Sequence, residues 1–179
     1  MNSLYFSNRF LVLVEIWQYQ FFDSKNSKNK SPRESYEGSR IIAFIRLPHS
    51  STEKYLHRQS KVELCDILTD DHTYIHIKPY SGPATLSHLF SQAVISAELV
   101  MSDREFLIKA NDKIKKESTD DRFLISTDYR PKIILAIISS HCDDRPPIPF
   151  FSKIALRYTK RRLQAYGCNV FIKNIQKTV

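Results

Sequence analysis

Glycine is almost missing from this sequence: Gly38, Gly82 and Gly167 are the only three in 179 residues. Neither a G-x-G-x-x-G turn nor a Walker-type loop can be written from them, which excludes nucleotide cofactors held in those ways. Cysteine is as scarce. Cys65, Cys142 and Cys168 lie far apart, with no C-x-x-C pair and an odd count. Zinc knuckles and ribbons need cysteines paired at short spacing, and unpaired cysteines without a secretion signal point to a reducing cytoplasm. A long apolar run is also lacking. Phe10–Val14 is apolar, but Arg9 and Glu15 flank it, and a bilayer span takes about 20 apolar residues. The start has no basic leader and no small-residue cleavage site, as a signal peptide would. A cytoplasmic protein without a membrane segment is expected.

Acidic residues are absent from Arg145 to Val179, and what is present there is basic: Arg145, Lys153, Arg157, Lys160, Arg161, Arg162, Lys173 and Lys177. The chain as a whole carries +8, so this stretch accounts for the whole excess and the remainder balances. A concentrated cationic surface attracts phosphate backbones by Coulomb attraction and counterion release. Lys153, Arg157, Lys160, Arg161 and Arg162 are therefore the candidate nucleic-acid-binding residues. The plainer alternative is a solvated helix face.

Residues 1–23 are an apolar N-terminal segment without a clear structural reading. Residues 24–40, SKNSKNKSPRESYEGSR, are polar and basic, as a flexible linker is. Residues 41–179 are expected to form a single α/β domain. A short apolar run at 40–46 suits a strand. KVELCDIL (61–68) and TYIHIKPY (73–80) alternate and flank the turn signal Thr69-Asp70-Asp71-His72, which predicts a β-hairpin with Ile75 and Ile77 on one face and Tyr74, His76 and Lys78 on the other. Leu86, Leu89, Phe90, Ala93, Ala97 and Val100 recur at helical spacing. Ser102 and Glu105 form a capping-box pattern ahead of a second, charged helix. KIILAIIS (132–139) reads as a strand buried on both faces. A proline-rich turn leads to a helix predicted from Lys153 to Tyr166, with Ser152 as N-cap and Gly167 as the left-handed residue after it. NVFIKNI (169–175) closes the chain as a strand. The fold class expected is α/β: a mixed sheet with an early β-hairpin and later strand–helix–strand units, which favour parallel pairing and right-handed crossovers.

The chemistry-bearing residues cluster on the hairpin. A four-residue turn pairs Cys65 with His76 and Glu63 with Lys78; a three-residue turn brings Asp66 beside His76 and Lys78 instead, and alternation alone fits both registers. Either way a carboxylate, an imidazole and an ammonium meet on neighbouring strands. Asp66 and His76 are the candidate metal ligands for Mg or Mn, and Lys78 is placed to orient a water or stabilise a phosphorane-like charge. Glu63 belongs to the same candidate catalytic set, and Gln92, one turn beyond His88 on the first helix, completes it. The plainer alternative is a Glu63–Lys78 cross-strand ion pair beside an ordinary histidine. Phe150 and Phe151 can stack on bases or, as the more usual role, anchor the turn to the core. Cys65 has His76 as its one neighbouring base and no third orienting group, against nucleophilic catalysis. Cys142 and Cys168 read as small buried hydrophobes.

On VELCDIL, YIHIKPY, TLSHLFSQAVISAEL and IPFFSKIALRYTKRRLQAYGCNVFIKNI, residues 61–179 resemble the C-terminal part of a sporadically distributed family of uncharacterised bacterial proteins, marked by I-H-V-K, S-H-L-F and P-F-F-S motifs. The resemblance implies a shortened copy of a longer protein, and with it association with a copy of itself or with a partner that replaces the missing N-terminal part. The strand order is also similar to the core of restriction-endonuclease-like nucleases, which place an acid on one strand and an acid-x-Lys pair on the next. That likeness implies roles for Asp66, His76 and Lys78 in a metal-dependent nuclease, with His76 standing where an acid is usual. The alternative is a non-catalytic nucleic-acid-binding or protein-interaction module.

Overall fold

The computed structural model describes residues 41–49, 60–141, 146 and 148–176. The expected apolar segment (1–23) and polar linker (24–40) lie outside the described residues, as does Cys142. The elements run β1 (Ile41–His49), β2 (Ser60–Thr69), β3 (Thr73–Pro79), α1 (Pro83–Ser102), α2 (Arg104–Glu117), a 3-10 turn (Asp121–Phe123), β4 (Lys132–Ser139), α3 (Phe150–Ala165) and β5 (Asn169–Gln176). The strands make one sheet in the order β1-β2-β3-β4-β5. β1 and β2, and β2 and β3, are antiparallel; β3, β4 and β5 are parallel. The fold is the expected mixed α/β one, with the hairpin early and the strand–helix–strand units late.

The helices follow from the sequence periods. α1 buries Leu86, Leu89, Phe90, Ala93, Ala97 and Val100, the whole expected stripe. It packs on β2, β3 and β4, while α2 packs on α1 and β1, and α3 on α1 and β5. Residues Leu68, Tyr74, Ile133, Leu135 and Ile137 join these helices in one core. The opposite sheet face is buried as well, at Ile67, Ile75, Ile77, Ile134 and Ala136. β4 is thus buried on both faces, as its unbroken apolar run requires. β3 is buried along most of its length, including the face that carries Tyr74 and His76. Its parallel pairing with β4 sets Tyr74, His76 and Lys78 beside Ile133, Leu135 and Ile137, beneath the helices.

Helix ends differ from expectation in two places. Ser102 remains in α1, its hydroxyl donating to the Glu98 carbonyl. Asp103 instead caps α2, accepting from Phe106 N–H at 3.0 Å. A short side chain one residue later reaches the same orphan amides and leaves α1 its last turn. At α3, Ser152 is buried inside the helix and the N-cap position falls on Pro149. The helix starts three residues early because Pro149, held extended, leads directly into Phe150. Gly167 does end α3 as expected, with φ 78°; its N–H bonds to Gln164 and that of Cys168 to Leu163, a Schellman pair.

Candidate functional site

The turn between β2 and β3 decides which residues meet. His72 N–H bonds to Thr69 C=O at 3.1 Å, and His72 adopts φ 58°. That is a three-residue hairpin loop, a tight turn followed by one left-handed residue. Thr69 Oγ1 accepts from Thr73 N–H at 3.0 Å, Thr73 Oγ1 donates to Asp71 at 2.8 Å, and the His72 ring stacks on Tyr129 with centroids 4.1 Å apart. The register that results pairs Ile67 with Ile75 and Leu68 with Tyr74. Of the two registers open in the sequence, it is that of the three-residue turn, whose continuation leads toward Asp66 and His76.

Beyond Ile67 the hairpin ladder stops, and Asp66 fills the gap. Its Oδ2 accepts from Ile77 N–H at 2.8 Å, so a buried carboxylate stands where a carbonyl of β2 would otherwise bond. On its other side β2 carries a β-bulge. The pairing with β1 steps from Ile45–Cys65 to Arg46–Glu63, leaving Leu64 as an extra residue. Strict alternation from Leu68 would turn Glu63 away from the helices. One extra residue reverses that parity. Glu63 accordingly accepts from Gln92 Nε2 of α1 at 3.0 Å, and Ser96, one turn along α1, donates to the Leu64 carbonyl. Glu63 is thereby tied to Gln92, and its charge and that of Lys78 reach the His76 ring; the Asp66 carboxylate is engaged by the Ile77 amide on the neighbouring strand. His88, also named from the sequence, lies on the exposed surface of α1.

The electrostatics follow from burial. His76 is 1% exposed, and its Nε2 has no hydrogen-bond partner among the described residues. Burial drives its pKa from 6.5 down to about 4; the nearby Glu63 charge opposes this and the Lys78 charge adds to it. The ring is therefore neutral at pH 7, and Nε2 can accept a hydrogen bond or a metal. Cys65 is fully buried. Desolvation, reinforced by the negative charges of Asp66 and Glu63, raises its thiol well above the usual value, so it stays protonated and is a poor nucleophile. Lys78 and Gln92 are half-buried, and through them the cluster approaches solvent. Among the described residues, no three His, Cys, Asp or Glu side chains are grouped as a metal site.

The basic helix forms a second surface. Lys153, Arg157, Lys160, Arg161 and Arg162 of α3 are all exposed. Arg162 pairs with Glu98 of α1 at 2.9 Å; among the described residues the other four have no acidic partner. Phe150 and Phe151, expected to anchor the turn to the core, lie outside it. They are 70% and 81% exposed and touch each other edge-on, with centroids 5.5 Å apart and planes at 75°. Tyr158 is 61% exposed and Ile154 39%. Starting the helix at Phe150 rather than Lys153 leaves the buried side to Ser152, Thr159 and Leu163, and the aromatics fall on the solvent side. The spacing of 150, 151, 154 and 158 was the available signal. Cys168 is buried, as expected.

Among the described residues no helix is long and apolar enough to cross a membrane. No curated protein and no solved structure matched the chain. Residues 44–176 match the model of DUF6119, a family of unknown function, and the chain belongs to that family.

Proposed function

We propose that this α/β domain binds nucleic acid through α3. The observation that carries the reading is the solvent face of that helix, where Lys153, Arg157, Lys160 and Arg161 are exposed, with no acid on the helix and no acidic partner among the described residues. Unpaired surface cations condense onto a phosphate backbone and release its counterions, which drives association. The N-terminal end of α3, without an acidic residue in its first turn or a side-chain cap, adds positive potential in the same direction. Fluorescence anisotropy of a labelled oligonucleotide should show binding that weakens with salt and is lost in Arg157→Glu/Arg161→Glu. Affinity that is insensitive to both salt and charge reversal would rule the reading out.

A second reading, a metal-dependent phosphodiesterase, is favoured by the bulge at Leu64. That bulge turns Glu63 toward Gln92, and its charge, like that of Lys78, acts on the His76 ring. Asp66 and His76 would be the protein ligands of a Mg or Mn ion, the remaining positions going to water and substrate phosphate, as magnesium sites commonly arrange them. The ion would supply Lewis-acid polarisation and an acidified water. Lys78, half-exposed at the end of the cluster, would hold developing negative charge, and Gln92 orients Glu63. Cutting of DNA or RNA by purified protein with Mg or Mn should disappear in Lys78→Ala. Cutting that persists there belongs to another site.

A further inference from the structure

We infer that the α3 surface selects single-stranded over double-stranded nucleic acid; this deepens, and rests on, the nucleic-acid reading above. The observation is the division of the helix into two parallel strips. At about 100° per residue, Lys153, Arg157 and Lys160 fall along one side of the exposed arc. Phe150, Ile154, Tyr158 and Phe151 fall along the other, and Arg161 continues the line of Phe150 and Ile154 toward the C-terminal end. All of these residues are exposed.

A duplex presents its phosphates outward and hides its base faces in the stack. It could use the basic strip and would leave the aromatic strip in water. A single strand offers both: a backbone for the cations and, beside it, open base faces for the rings. Cations that track the backbone beside aromatics that stack on bases are the elements by which strand-binding surfaces work without base-specific hydrogen bonds. Phe150 and Phe151 meet edge-on while most of each ring stays open to solvent.

Two other occupants fit less well. A symmetric contact with a second copy over this whole arc would bring two sets of Lys153, Arg157 and Lys160 into one interface, with no acidic residue on α3 to offset them. An interfacial membrane helix keeps its basic residues off the apolar face, whereas here Arg161 falls within the apolar strip, in line between Phe150 and Ile154.

The test uses the full chain and two probes of equal length, a labelled fifteen-residue oligothymidine and a mixed-sequence duplex, in anisotropy titrations at one salt concentration. Oligothymidine should bind at least tenfold tighter. Phe150→Ala/Phe151→Ala should lower that affinity roughly tenfold or more and leave duplex affinity unchanged. Both rings are exposed, so the variant should keep the parent circular dichroism. A Phe151→Trp variant gives a direct readout: its fluorescence should be quenched by oligothymidine beyond any change in the parent. Equal affinity for both probes, or full oligothymidine affinity in the Phe150/Phe151 variant, overturns the inference; if binding still falls on charge reversal at Arg157 and Arg161, the broader reading survives. Neither probe binding removes both. Binding to phosphatidylserine vesicles without binding to oligothymidine, or a concentration-dependent dimer dispersed by the Phe150/Phe151 substitutions without such binding, assigns the surface to a membrane or to a second copy and also overturns it.

Discussion

A buried neutral imidazole makes stability depend on pH. The His76 pKa falls from 6.5 to about 4 on folding, because burial penalises its charged form. Between those values the unfolded chain binds a proton that the folded chain does not, so stability falls as pH drops from 6.5 toward 4. Below that the folded ring protonates too and the penalty is complete. Each tenfold loss of proton affinity on folding costs about 1.4 kcal/mol, which brings the full penalty to about 3 kcal/mol. Urea titrations across this range should show the decline. His76→Leu should flatten it, while the contribution of every other titrating group remains. An unchanged slope in that variant would mean that another group governs it. The chemistry-bearing residues themselves were legible in the sequence. What decides their meeting was not: alternation fits either register, and the residue that fixes it is His72, left-handed where glycine would have announced the turn. Likewise nothing local marks Leu64 as the extra residue of a bulge, since it is an ordinary core leucine at 0% exposure.

Among the elements, those with one strong signal were readable throughout. An unbroken apolar run can only be an interior strand or a buried helix, and Lys132–Ser139 is of strand length. The 3.6-residue stripe of α1 buries as its spacing dictates. Helix starts were less legible, because several short polar residues compete for each. Ser102 and Asp103 differ by one position, and the sequence pattern S-x-x-E favours the former, whereas Asp103 makes the cap. Their substitution should separate them. Asp103→Ala should cost about 1 kcal/mol in chemical denaturation. Ser102→Ala, which removes only a hydroxyl bond to Glu98 C=O on an exposed turn, should stay within a few tenths. Equal losses would mean the two share the cap. At α3 the same ambiguity, three residues wide, reverses the fate of Phe150 and Phe151.

For the molecule as a whole, charge is distributed rather than merely abundant, and pairing decides how much of it is available. Five cations of α3 face solvent, but Arg162 is tied to Glu98 at 2.9 Å, which joins α3 to α1. An arginine already neutralised by a neighbouring carboxylate displaces few counterions when a phosphate approaches. Lys153, Arg157, Lys160 and Arg161 have no such partner among the described residues. For a single strand each phosphate neutralised contributes about 0.7 to the slope of log affinity against log salt, so on the proposed reading these four cations should give a slope near −3. Arg157→Gln should make it shallower by about 0.7 at unchanged melting temperature, because its side chain is exposed and has no acidic partner among the described residues. Arg162→Gln should leave the slope nearly as it was and lower the melting temperature slightly, since an exposed pair contributes little to stability. If Arg162 carries as much of the salt dependence as Arg157, the Glu98 pair opens on binding, and α1 lies within reach of the bound strand.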